Sequence, residues 1–187
     1  MKLLRVLPKK VLEAIYFWSI VPSATYGILV WGTRSPALLH NVERIHLRAA
    51  KIKYSLVDAN LETLKYIRWQ PLLIVYKLKL TSLMYSVYYA LAPKSICDLF
   101  HKTEPRRYHL RRAEGFNVPK YNYSIGRTSL SYRGPIAWNI LPESYKLIDS
   151  WASFKQKIKK DLALLDKLSF EKEFCLSTNK NEDFYYF

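Results

Sequence analysis

PLLIVYKLKLTSLMYSVYYAL, residues 71–91, is the stretch on which the fold turns. Pro71 has the fixed φ and missing N–H that suit the first turn of a helix. The run behind it is apolar on most faces, from Leu72 and Ile74 to Tyr88 and Tyr89, with Lys77, Lys79 and a few hydroxyls as relief. A helix that is apolar all round belongs inside a protein. The spacing predicts one long helix reaching Leu91, the central and most buried element.

Working outward, residues 9–31 read as a helix with a bend or break at Pro22, ended by Gly32 and Thr33. Ser35 and Pro36 make an N-cap and first-turn pair for a helix reaching Tyr54. In it Leu38, Val42, Ile45, Ala49 and Ile52 recur at spacings of 4, 3, 4 and 3, which predicts one buried stripe. Asn60 is placed to cap a short helix to Ile67, and Pro93 to open another ending near Phe100. Between His101 and Ile125 the 3.6-residue period disappears. The alternation around Phe116 and Val118, and again from Ser129 to Arg133, predicts a small antiparallel hairpin joined near Gly126. A helical turn over residues 134–141 follows, then a last amphipathic helix capped by Ser150 with Trp151, Phe154, Ile158, Leu162 and Leu165 inward.

The fold class expected is therefore mostly α (α+β). The expected organisation is a helical segment over residues 1–58, central helices packed on it over 59–101, a basic hairpin module with its closing helix over 102–168, and an acidic, frayed tail over 169–187.

The chain has 187 residues, half of them hydrophobic, enough to bury a real core. Thirty Lys and Arg stand against fifteen Asp and Glu, for a net charge of +15. From Asp161 onward three basic residues meet six acidic ones, so residues 1–160 carry +18. Such a field favours a polyanionic partner, nucleic acid above all. Cys97 and Cys175 lie far apart with no CxxC pair, which argues against a disulfide framework and for an intracellular protein.

Two basic clusters stand out. Arg44, Arg48 and Lys51, at spacings of 4 and 3, share the helix face opposite the apolar stripe. Arg106, Arg107, Arg111 and Arg112 surround Tyr108, mixing guanidinium forks for phosphate with a ring on which unpaired bases can stack. Arg133, closing the expected second strand, joins them as a contact for nucleic acid. The alternative for each cluster is a solvated face, or arginines docked on a neighbouring helix. Cys97, His101 and His109 lack a fourth ligand for structural zinc, so no metal is expected. No nucleophile elbow, GxxxxGK phosphate loop or dinucleotide glycine pattern occurs, and no catalytic residue or cofactor is assigned.

Six blocks resemble the last third of jockey-like non-LTR retrotransposon reverse transcriptases: TYGILVWG (25–32), VERIHLRAAKI (42–52), LAPKSICDLF (91–100), YHLRR (108–112), SYRGPIAWNILP (131–142) and FKQKIKK (154–160). Together they cover nearly the whole chain, from about Leu4 to Leu162. The resemblance implies the thumb and the segment after it, whose Arg44–Arg48–Lys51 face would track the backbone of an RNA or DNA template-primer duplex. It also implies partnership with the palm and fingers of the same polyprotein, and access to the nucleus. The family's polymerase chemistry needs paired palm carboxylates to hold two Mg²⁺ ions. This chain has no adjacent Asp-Asp, so no polymerisation by it alone is expected.

Two rival readings come from other classes. One is a basic protein anchored in a membrane by residues 14–31, whose apolar run is interrupted by Pro22, Ser23, Thr25 and Gly27. The favoured reading expects no membrane. The other is a structural helper without nucleic-acid affinity.

Overall fold

A computed structural model describes residues 8–32, 36–55, 60–67, 69–103, 115–161 and 164. The mostly helical expectation holds for them. In chain order the helices are α1 (Lys9–Ile15), α2 (Val21–Thr25), α3 (Ile28–Trp31), α4 (Pro36–Tyr54), α5 (Leu61–Tyr66), α6 (Leu72–Tyr88), α7 (Lys94–Cys97), α8 (Ser124–Arg127), α9 (Leu130–Ile140), α10 (Glu143–Lys146) and α11 (Trp151–Lys160).

The central element is α6, as its all-round apolarity requires. Leu72, Tyr76, Leu80, Met84, Tyr85 and Val87 are buried along it, and α3, α4, α7, α9 and α11 all pack against it. The larger core combines these residues with Ile28 of α3, Trp138 of α9, and Phe154 and Ile158 of α11. Helix α9 comes very close to α6: a Cβ on Gly134 would stand 2.6 Å from Met84 Sδ and 2.9 Å from Phe100 Cε1. Any larger residue there would have to displace both side chains from the core. Two tyrosines of α6 tie the C-terminal part down, Tyr85 donating to the Ile148 carbonyl at 2.6 Å and Tyr89, just past its end, to that of Lys146 at 2.5 Å.

The N-terminal helix breaks upstream of Pro22. Residues Tyr16–Ile20 form a π-turn, with the Val21 N–H donating to the Tyr16 carbonyl. Proline has no N–H to continue the α ladder and its ring crowds the carbonyl four residues back, so widening the preceding turn relieves both. Gly27, at φ +61°, then redirects the chain and drives Ile28, 1 % exposed, into the core. No helix among the described residues is long and apolar enough to cross a membrane.

Asn60 caps α5 as expected. Its Oδ1 accepts from the Thr63 N–H at 2.8 Å while its own N–H donates to Thr63 Oγ1 at 3.2 Å, a reciprocal cap.

The hairpin joined near Gly126 is not formed. Residues 130–133 are the first turn of α9, with Ser129 in extended conformation at its N-cap, so an alternation that suits a strand is used by a helix. Phe116 instead bridges antiparallel to Lys102; Thr103 N–H donates to the Gly115 carbonyl at 2.9 Å and Asn117 N–H to that of His101 at 2.8 Å. On its other side, Asn139 of α9 mimics a strand: Oδ1 accepts from the Phe116 N–H at 3.0 Å and Nδ2 donates to the Phe116 carbonyl at 2.9 Å.

The stripe of α4 is also displaced. Leu39, Glu43, His46 and Ala50 are the buried positions, one residue round from the expected set. Leu38, Ile45 and Ile52 are 44 %, 53 % and 45 % exposed. What the periodicity could not include is that a carboxyl and an imidazole have tertiary partners. Glu43 Oε2 accepts from the Leu72 N–H at 2.8 Å, and His46 Nδ1 hydrogen-bonds the Tyr16 hydroxyl. In α11, Phe154 and Ile158 point inward as expected, whereas Trp151 is 43 % exposed. Leu162, Leu165 and the acidic tail lie outside the described residues.

Candidate nucleic-acid interface

Helix α4 has 19 residues, long enough to present several turns of one face. With its buried side defined by Leu39, Glu43, His46 and Ala50, Arg44 and Arg48 project from the far side and are exposed. They sit one turn apart, and among the described residues neither has an ion pair or hydrogen bond to another side chain. Lys51, the next in the series, is half-buried and engaged with a neighbour. The group is therefore two open guanidinium groups flanked by a more restrained ammonium. Further along the helix Lys53 pairs with Glu13, tying α4 to α1, and Lys53 Nζ also lies 4.6 Å from the Tyr54 ring centroid.

Arg133 does not belong with these residues. It is 3 % exposed, its Nε donates to the Arg127 carbonyl at 3.3 Å, and its charge bears on Tyr76, whose hydroxyl pKa burial pushes up to about 12 against the opposing pull of that guanidinium. The cause is the helix where a strand was expected: α9 turns Arg133, Gly134, Ala137 and Trp138 inward toward α6. The cluster Arg106, Arg107, Tyr108, Arg111 and Arg112 lies outside the described residues, so its geometry adds nothing.

A further basic surface went unremarked in the sequence except as part of a resembling block. Helix α11 buries only Phe154 and Ile158, and every other residue from Trp151 to Lys160 is exposed, four lysines included. Lys155 Nζ lies 4.8 Å from the Trp151 ring centroid, and Lys157 reaches the Ser144 carbonyl at 3.3 Å and the Tyr145 ring at 4.6 Å. Lys159 and Lys160 have no partner among the described residues. Cations in a last turn also complement the helix dipole. The signal that could have found this surface is the narrow, two-residue apolar contact of a helix without acids.

Beneath α4 lies a different kind of chemistry. Burial raises the Glu43 carboxyl to about 7 against the lowering effect of the Leu72 N–H, and lowers His46 to about 4 with the Gln70 backbone opposing. Burial likewise raises Tyr16, with the nearby Glu43 adding to it. Tyr16 stacks on Trp69 at 4.9 Å with ring planes 5° apart, closing the site with aromatic mass. Glu43 and His46 project inward, so this trio serves the packing of α4 rather than a phosphate. No group of three His, Cys, Asp or Glu able to hold a metal occurs among the described residues.

The chain matches no family model, no curated protein and no solved structure.

Proposed function

We propose that this chain is a non-catalytic nucleic-acid-binding part of a retrotransposon RNA-directed DNA polymerase: the helical thumb and the segment after it, gripping the template-primer backbone. The observation that carries the reading is the pair Arg44 and Arg48, exposed, one turn apart and without acidic partners among the described residues, on a 19-residue helix of a +15 chain. Phosphate contacts of this kind position a duplex without reading its sequence. The six resembling blocks supply the family, and the second basic cluster, Arg106 to Arg112, supplies further phosphate forks with Tyr108 between them. Polymerisation would belong to the palm of the parent protein. The proposed partners are an RNA or DNA duplex and that palm with its fingers, and the proposed setting is intracellular with access to the nucleus.

The test is fluorescence anisotropy with a labelled duplex at several salt concentrations. Counterion release predicts that log affinity falls against log salt with a slope of about −4 to −5 if roughly four to six phosphates are contacted. Absence of binding at low salt would overturn the reading.

A further inference from the structure

The face of α4 expected to be core is largely open. Val42 and Ala49 are half-buried, but Ile45 and Ile52 are exposed at 53 % and 45 %, and Leu38 extends the same line at 44 %. Across from it the π-turn and α2 raise a second wall. The space between is a groove of about 340 Å³ with Tyr16 and His46 at its sides, Ile20 and Ala24 on one wall, and Val42 and Ile45 on the other. Ile20 is itself 41 % exposed.

Both walls are helical, so it is chiefly side chains that they offer to a partner. Spacings of 4, 3, 4 and 3 are those by which one helix seats on another. Helix-in-groove recognition is read from anchors at such intervals.

Charge narrows the occupant. No Asp or Glu occurs between Ala14 and Val42, and Glu43 is buried, whereas Arg44 and Arg48 are exposed on the flank of the seam. A second copy would bring the same arginines and another +15 to the contact. A partner with carboxylates beside its apolar stripe meets this rim with opposite sign. We propose that the groove between the π-turn–α2 segment and α4, continued along Ile45 and Ile52, seats an amphipathic helix of another protein whose apolar stripe is flanked by acidic residues. Arg44 and Arg48 are shared with the proposed phosphate contacts, whereas the apolar groove and the Ile45–Ile52 seam are used by the helix alone.

The probe is a fluorescein-labelled, 20-residue helical peptide with leucines at 4-3-4-3 spacing and glutamates beside them, titrated with the full chain; a second peptide carries lysines in place of the glutamates. The expected result is saturable binding of the glutamate peptide and at least roughly tenfold weaker binding of the lysine peptide. Ile45→Asp, and separately Ser23→Trp to fill the groove from its exposed edge, should each weaken the glutamate peptide about tenfold or more. Circular dichroism of both variants should match the parent, and duplex binding by Ser23→Trp should be unchanged, which keeps this result distinct from failure of the nucleic-acid reading.

No binding of the glutamate peptide, equal binding of the two peptides, or indifference to both substitutions would overturn the proposal. Unfolding of Ile45→Asp would make the seam core and do the same. Dimerisation of the free chain, or capture by anionic vesicles, that Ile45→Asp abolishes would assign the seam to a second copy or to lipid instead.

Discussion

The Glu43 carboxylate of α4 accepts the Leu72 N–H, the first orphan donor of α6, at 2.8 Å. Helix α6 begins behind Pro71, which brings no capping side chain, so a residue 29 positions earlier does the capping. The arrangement holds two helices in register and buries a carboxyl beside a buried imidazole.

Opposed pH dependences follow from that pair. Glu43 is raised to about 7, so its contribution is fully present below the unfolded value near 4.5 and is lost as pH rises through 7. His46 is lowered to about 4, so its contribution is present above the unfolded value near 6.5 and is lost as pH falls toward 4. Between about 4.5 and 6.5 the two nearly cancel. Glu43→Gln keeps an acceptor for Leu72 and removes one limb. Its stability relative to the parent should grow with pH from 4.5 to 7, by at most about 1.4 kcal/mol per pH unit. Urea denaturation of both proteins from pH 4 to 8 measures this, and a difference that does not vary with pH would refute it.

The end of α6 gives a second test. Ala90 has φ +54°, and the chain around it forms a full Schellman motif: Leu91 N–H donates to the Ser86 carbonyl at 2.7 Å and Ala90 N–H to that of Val87 at 3.2 Å. Alanine bears a Cβ where glycine has none. Ala90→Gly should therefore stabilise by about 0.5–1 kcal/mol, because relief of left-handed strain outweighs the entropy of an added glycine. Thermal melting should show a rise, and an unchanged or lower midpoint would mean that the strain is not there.

The same residue shows what the sequence could convey. The long apolar helix, the Asn60 cap and the break near Pro22 were legible because each is local. The end of α6 was placed at Leu91, three residues beyond Tyr88, because no glycine marks it. The buried side of α4 was misplaced by one position because polar Glu43 and His46 find partners 29 and 30 residues away in sequence. The hairpin was misassigned because the partner of Phe116 is Lys102, across residues 104–114, and because Asn139 of a helix supplies the second edge. Of the candidate site, only the exposure of Arg44 and Arg48 could be read from spacing.

Burial separates two isoleucines that look alike in sequence. Ile28 is 1 % exposed behind the Gly27 turn, whereas Ile20 is 41 % exposed at the groove. Asp at position 28 would bury an unpaired charge, a cost of about 4 kcal/mol or more against a typical stability of roughly 5–15 kcal/mol. Ile28→Asp should lose the cooperative unfolding transition, and Ile20→Asp should keep it within about 1 kcal/mol of the parent. Reading both residues as core predicts that both unfold, and chemical denaturation distinguishes the outcomes.

Arginines divide in the same way, and this division tests the proposed interface. Arg44 and Arg48 stand in solvent, so replacing them together with Lys51 by alanine should flatten the salt slope of duplex binding by about two to three units, close to one per lost phosphate contact. Circular dichroism should not change. Arg133 is buried between the Arg127 carbonyl and Tyr76. Its truncation removes the donor to the Arg127 carbonyl and empties a buried site beside Tyr76, itself 1 % exposed, so Arg133→Ala should destabilise by about 1–3 kcal/mol. Any folded fraction should keep the parent's salt slope, because a guanidinium inside the protein neutralises no phosphate. A flattened slope in Arg133→Ala at full stability, with no change in the triple variant, would reverse the assignment and move the interface from α4 to α9.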